Sequence, residues 1–328
     1  MPDTTSEARL PIIEVRGLTR KYGAVLAVDH IDFSVMRGEV FGFLGPNGAG
    51  KSTTVRMLTG YIPPTSGSIT IAGYDFLSHP TAARQHLGVV PEEANVYADL
   101  TVWQNVMLMA ELHGMVKARR LANGRRLVES FSLAERVKQL GRELSKGLRQ
   151  RLMLCMALVS DPEILFLDEP TSGLDVASSH LIREVITDMN QKRGMTVFLT
   201  THNIEEADAL CHRVAIIDKG HIAAIDKPSA LRATVQSRRS VEARFAGEVR
   251  PPAEMLDFGP AAETSWLAHG VRIFGAEPGR IAQELANRAT ARGFRIEYLA
   301  TREPSLEEVF LHLTSKPGAA QQEQAVHA

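Results

Sequence analysis

A lysine set between a glycine and two hydroxyl residues is suited to holding phosphate, and residues 45–53 carry one: Gly45-Pro46-Asn47-Gly48-Ala49-Gly50-Lys51-Ser52-Thr53. The pattern G-x-x-x-x-G-K-[ST] lets successive backbone N–H groups turn toward the β- and γ-phosphates of a nucleotide. A helix starting at once afterwards points its positive end at the same charge. Lys51 adds a point charge, and the Ser52 hydroxyl offers a hard oxygen to Mg²⁺. The bland alternative is a glycine turn before a helix with an incidental lysine. A strand ahead of the turn and a helix behind it separate the two.

The second group of reactive residues ends an apolar run, Ile164-Leu165-Phe166-Leu167-Asp168-Glu169. Paired acids at the end of an interior strand, with Pro170 blocking its continuation, put charge at the carboxyl edge of a sheet, where ligands bind. Asp168 is expected to hold Mg²⁺, directly or through water. Glu169 is expected to orient and deprotonate an attacking water. Acidic turns after strands are common, so the weight lies in the order and distance of this pair relative to Lys51.

Five further stretches complete a resemblance to the ATP-binding-cassette family, in that family's order. Leu144-Ser145-Lys146-Gly147-Leu148 resembles its signature motif, and Ser172-Gly173-Leu174-Asp175 the loop that meets the opposite subunit. Thr200-Thr201-His202 resembles the switch histidine, and Tyr22 sits where the family stacks an aromatic on adenine. Pro91-Glu92-Glu93 occupies the place of a loop that normally carries glutamine. The resemblance covers about Ile12 to Ala230. It implies ATP binding by Tyr22 and residues 45–53, catalysis by Glu169 and His202, and Mg²⁺ held by Ser52, Asp168 and Glu92. It also implies that Ser145, Gly147 and Asp175 contact ATP across a head-to-tail pair of cassettes. Each has a plainer reading: Tyr22 as a strand-end aromatic, His202 as a helix cap, Ser145 and Gly147 as a helix start. Three positions depart from the family: Lys146 replaces glycine, Leu148 replaces glutamine, and Glu92 replaces glutamine.

The elements that must position these residues are legible as patterns. Ile12 to Arg16 and Ile31 to Val35 alternate as half-buried strands do, and Glu39 to Leu44 is a more continuous apolar strand. Ser52 to Thr59 reads as a helix stopped by Gly60, and Ser68 to Ala72 as a strand. From Leu100 to Gly141 the spacing is that of exposed amphipathic helices, and Arg151 to Val159 that of a buried one. Ile164 to Leu167, Val197 to Thr200 and Val214 to Ile217, separated by helical stretches, argue for a parallel α/β sheet. By resemblance the fold is a P-loop NTPase cassette with antiparallel β and helical subdomains, followed by a small α+β C-terminal domain.

Composition changes near Ala230, and the basic patch Arg232 to Arg239 that follows reads as a linker or helix end. Beyond it, Val241 to Phe245, Val271 to Phe274 and Phe294 to Leu299 read as strands, and Gly279 to Arg292 as a helix. A last helix is capped by Ser305 with Glu308, and its stripe of Leu306, Val309, Phe310 and Leu313 is expected to pack on the domain's own sheet. The expected domains are a flexible N-terminus at 1–11, a cassette at 12–230, an accessory domain at 235–315 and a disordered tail at 316–328.

Composition excludes more than it assigns. With 44% hydrophobic and 23% charged residues and a net charge of −1, there is no global electrostatic case for a nucleic-acid partner. No apolar run is long enough to span a bilayer, and no signal peptide is evident. Two cysteines, Cys155 and Cys211, make no disulfide framework and fit a reducing compartment. The resemblance implies a second cassette and a separate six-helix export permease as partners, with the chain peripheral on the cytoplasmic face of the membrane. Rival readings are a soluble cassette ATPase acting on ribosomes, a chromosome-type or repair ATPase, and a binding module without turnover. The first usually carries two cassettes in one chain. The second needs a coiled coil for which Gly60 to Glu143 is too short. Intact Lys51, Asp168, Glu169 and His202 argue against the third. The cargo is not encoded here.

Overall fold

The alternating residues at the start of the chain form two long strands, β1 (Pro11–Tyr22) and β2 (Val25–Met36), paired antiparallel. In this computed structural model residues 10–315 are described, except 94, 236–238, 249 and 261. The expected flexible 1–11 segment lies outside them up to residue 9, and Pro11 already belongs to β1. The expected tail 316–328 lies outside them altogether, as do three residues of the basic patch.

After β3 (Val40–Leu44) and α1 (Lys51–Leu58), the chain returns through β4 (Ser66–Ile71) and β5 (Tyr74–Asp75). These complete a four-stranded sheet of order β2-β1-β4-β5. A short α2 (Pro80–Arg84) leads to β6 (Leu87–Val90), a strand the apolar pattern did not mark. The helical stretch is α3 (Val102–Leu112), α4 (Lys117–Ser130) and α5 (Lys146–Leu158). Then come β7 (Ile164–Asp168), α6 (Val176–Arg193), β8 (Thr196–Thr201), α7 (Ile204–Leu210), β9 (Arg213–Asp218) and β10 (His221–Asp226).

The second sheet runs β10-β9-β3-β8-β7-β6, and the β9-β3-β8-β7-β6 pairings are all parallel. Its central strands are buried along their length, which is why β3 and β7 read as continuous apolar runs rather than alternations. Between the two sheets, Phe198 packs 5.3 to 5.9 Å from Phe166, Phe43, Phe41 and Phe33. Burying a phenylalanine side chain stabilises by about 2–3 kcal/mol. This rigid cluster lies directly behind the strand ends. Register aligns those ends: Leu44 pairs with Thr201, and Asp168 with Thr200. Gly45, Asp168, Glu169 and His202 therefore leave the sheet on one edge.

The chain divides into two compact units, Met1–Ile225 and Asp226–Ala328. The division falls a few residues before the expected Ala230 because α8 (Pro228–Thr234) packs against α10 (Leu306–Ser315) in the second unit. That unit's sheet has the order β12-β13-β11-β14, from β11 (Ser240–Phe245), β12 (Glu263–Leu267), β13 (Gly270–Phe274) and β14 (Ile296–Arg302). Helix α9 (Pro278–Ala291) covers one face with Ile281, Leu285 and Ala289. Ser305 and Glu308 form the reciprocal cap expected for α10. Leu306 and Val309 are buried and α10 packs on α8, while Glu308 reaches the sheet by pairing with Arg272 at 3.7 Å.

Candidate active site

The phosphate loop joins β3 to α1, the strand–turn–helix context its pattern requires. Pro46, Asn47 and Gly48 form an exposed tip, while Gly45, Ala49, Gly50 and Lys51 are buried and Ser52 and Thr53 half-buried. Gly50 caps α1 at φ 107°, and a methyl group there would stand 2.6 Å from the Ala27 carbonyl oxygen. Only glycine meets both conditions.

Lys51 is 5% exposed, and its ammonium folds back over the loop. It donates to Gly45 O at 2.7 Å and Pro46 O at 3.2 Å, and lies 3.1 Å from Glu169 Oε1 as an ion pair rather than an aligned hydrogen bond. An unpaired buried ammonium would cost several kcal/mol, so Glu169 serves as its counter-charge. The other Glu169 oxygen, Oε2, is 2.7 Å from His202 Nδ1. An ionised Glu169 accepts there, which puts the ring proton on Nδ1 and leaves Nε2 free. The His202 side chain is half exposed, and the cap of α7 is Asn203 instead, whose side chain accepts from Glu206 N–H. Glu169 sits at φ 51°, a conformation that costs a non-glycine residue on the order of 1 kcal/mol. Its N–H donates to both the carbonyl and the hydroxyl oxygen of Thr200, each at 3.1 Å.

Asp168 Oδ1 accepts from Thr200 Oγ1 at 2.5 Å and from Ser52 Oγ at 3.3 Å. Two hard protein oxygens brought together suit Mg²⁺, which keeps several waters and is seldom caged by protein alone. Among the described residues no three His, Cys, Asp or Glu side chains converge on a metal position. Glu92 leaves β6 just beyond Val90, which pairs with Leu167, but its side chain is exposed and does not join Asp168 and Glu169 in such a cluster.

The signature residues form a separate surface. Ser145 caps α5, its hydroxyl accepting from Leu148 N–H at 3.3 Å, and is exposed. A methyl group at Gly147 would stand 2.6 Å from Ser178 Oγ, so the first turn of α5 abuts the start of α6. Asp175 caps α6 through Ser178 N–H at 2.8 Å and Ser178 Oγ at 2.9 Å. Those bonds hold its carboxyl below the usual range. Tyr22, 42% exposed at the end of β1, carries the Arg20 guanidinium 4.6 Å from its ring centroid. Among the described residues no hydrogen bond or ion pair joins Ser145 or Tyr22 to the Lys51 cluster.

Sequence reasoning noted Thr200 and Lys146 within their motifs but missed the contacts that three residues make. Thr200 bridges Asp168 and Glu169. Glu206, fully buried, accepts from Thr171 Oγ1 at 2.8 Å and keeps Oε2 without a partner. Burial pushes its carboxyl up, opposed by the nearby Thr201 and Thr171 hydroxyls and by Arg183, while the charge of Glu169 adds to the rise. Lys146 binds the carbonyl of Ser172. None has a sequence signal, because each partner is brought in by the fold from another element. Cys155 and Cys211 are buried thiols, and burial pushes both up, away from reactivity.

The family model described as "ABC transporter" matches residues 28–172. The linearmycin resistance ATP-binding protein LnrL of Bacillus subtilis is 33% identical over 93% of this chain and 99% of its own length. The Nod factor export ATP-binding protein I of Paraburkholderia xenovorans is 38% identical over 93% of this chain and 97% of its own. Among solved structures, the dimeric form of a bacterial ABC transporter cassette matches at a TM-score of 0.61 and 25% identity, covering 66% of this chain and 98% of that one.

Proposed function

Because this chain belongs to the ATP-binding subunits of ABC transporters, which are ATPases, we propose that two copies close head to tail on two Mg-ATP and that hydrolysis drives export through a separate membrane permease. The observation that carries this reading is the chain of contacts Lys51–Glu169–His202 at the carboxyl edge of the sheet. Export is proposed on the names of the relatives above.

Glu169 is the counter-charge of Lys51. Triphosphate is a stronger counter-charge, so its arrival draws the ammonium to the phosphates and frees Glu169 Oε1. That oxygen then accepts a proton from water, while His202 holds Oε2 and fixes the carboxylate plane. With Nδ1–H held by Glu169, Nε2 of His202 would meet phosphate as a donor only in the doubly protonated ring. Ser52 and Asp168 would hold Mg²⁺, with Thr200 steadying Asp168. The ion would neutralise phosphate charge and polarise the bond that breaks. Tyr22 would stack on the base, and Ser145, Gly147 and Asp175 would close the site from the second copy, with the amino end of α5 directed at the phosphates.

The permease partner is proposed to dock in a groove of about 370 Å³ lined by Leu87, Val89, Tyr97, Met109, Met153 and Met156. Val89 and Tyr97 are 39% and 46% exposed, and the methionines offer an adaptable apolar bed. Among the described residues no helix is long and apolar enough to cross a membrane. The proposed location is therefore peripheral, on the cytoplasmic face, held by the permease.

Glu169→Gln tests the hydrolytic assignment. It is expected to bind ATP as the wild type does and to turn over at least about 100-fold more slowly. Wild-type turnover in this variant would remove Glu169 from the mechanism.

A further inference from the structure

Lys146 stands where the family resemblance places glycine, and its ammonium is engaged within its own chain. Its Nζ donates to the Ser172 carbonyl at 2.8 Å. The neighbouring residue is Gly173, and a methyl group added there would collide with the same ammonium. The backbone is thus open where the lysine lies across it.

Ser172 belongs to the segment 170–175, which runs from Glu169 at the end of β7 to Asp175 at the cap of α6. The Ser172 N–H donates to the Glu169 carbonyl at 3.1 Å, and Leu174 N–H to the Thr171 carbonyl at 3.2 Å. Two hydrogen bonds therefore lead from Lys146 to the backbone of Glu169, the residue held at φ 51°. On the far side of the segment Thr171 is tied to buried Glu206 of α7, the helix that follows His202. On the near side Gly147 packs against Ser178. The turn that keeps Glu169 in its strained conformation is gripped from α5 and from α7.

We propose that Lys146 is a positioning residue: its ammonium fixes the 170–175 segment to the first turn of α5, so that the signature surface and Glu169 of one chain move as one body. This rests on the reading that each signature surface completes the ATP site of the other copy. Engagement of that surface by the partner's nucleotide then aligns the chain's own Glu169. A charge-assisted bond to a carbonyl is stronger than a neutral one, and arginine can make it while methionine cannot.

The test compares Lys146→Met and Lys146→Arg with wild type in the full chain, measuring ATPase rate against ATP concentration and, separately, the affinity of the single chain for a fluorescent ATP analogue. Lys146 is exposed, so both variants are expected to fold. Lys146→Met is expected to lose roughly fivefold in kcat, with analogue affinity unchanged. Lys146→Arg is expected to recover most of the loss. A Lys146→Met kcat within about twofold of wild type would overturn the proposal. So would a loss confined to KM and affinity, which would make Lys146 a nucleotide ligand, or an arginine that restores nothing. The underlying two-copy reading fails by a different sign, normal turnover when Ser145 is blocked.

Discussion

Lys51, Asp168 and Glu169 are 5%, 5% and 7% exposed, whereas Ser145 and Lys146 at the first turn of α5 stand in the open. Both regions start a helix, yet only around Lys51 are charged residues brought together within the chain. Around Lys51 the ammonium is ion-paired with Glu169 and Asp168 accepts from two hydroxyls, since an unpaired buried charge is costly. Around Ser145 the exposed side chain does no more than cap its own helix. On the proposed reading, the difference teaches that the buried half would store the reagents and the open half would supply the condition for using them, contact with a second copy.

Blocking the open half gives the largest effect. Ser145→Arg places a bulky cation on the exposed surface, and ATPase turnover is expected to fall on the order of 100-fold, as when an anion-stabilising site is lost. Nucleotide affinity of the single chain is expected to stay at the wild-type value, since the Lys51 cluster is untouched. Equal loss of both would erase the distinction between the halves.

The buried half is sharpened by pH. Burial raises the Glu206 carboxyl above its unfolded value of 4.5, so its contribution to stability is fully present below pH 4.5 and is lost as pH rises through the higher folded value. Glu206→Gln keeps an oxygen for Thr171 but does not titrate. The melting temperature of wild type minus that of the variant is therefore expected to decrease, by a few degrees, as pH rises above 4.5. A difference independent of pH would mean that Glu206 carries no burial penalty.

The smallest effect concerns Glu92, exposed on β6's side of the same sheet edge. If it reaches Mg²⁺ in the closed pair, its charged oxygen binds better than an amide oxygen. Glu92→Gln is expected to need roughly threefold more Mg²⁺ for half-maximal ATPase rate, with the maximal rate retained. Superimposable Mg²⁺ titrations would remove Glu92 from the ligand set.

How far these regions could be read from the sequence follows the reach of their interactions. Gly45 to Thr53 is a local device, in which loop, helix start and lysine are consecutive, so pattern sufficed. The strand ends at Asp168 and His202 were equally legible, because continuous apolar runs mark strands buried on both faces. Strand β6 was not, since Leu87-Gly88-Val89-Val90 is short and contains a glycine; its place is set by pairing with β7. Strand β12 escaped for a related reason: Glu263 to Leu267 is an exposed edge without an apolar face. The bonds of Thr200 to Asp168, Glu206 to Thr171 and Lys146 to Ser172 span 32, 35 and 26 positions. No local spacing encodes them. The assignment of α10 to its sheet failed similarly, because its apolar stripe was clear but its partner, α8, lies some seventy positions earlier.

The central claim is that two copies share each ATP site, and the mass of the Glu169→Gln chain in solution tests it most directly. Light scattering is expected to give the mass of one chain without nucleotide and twice that mass with Mg-ATP, because closure proceeds and hydrolysis does not reopen the pair. Adding Ser145→Arg to the same chain is expected to return it to a single-chain mass with ATP still bound. A Glu169→Gln chain that binds Mg-ATP and stays at the mass of one chain, or a pair that Ser145→Arg leaves intact, would contradict the account.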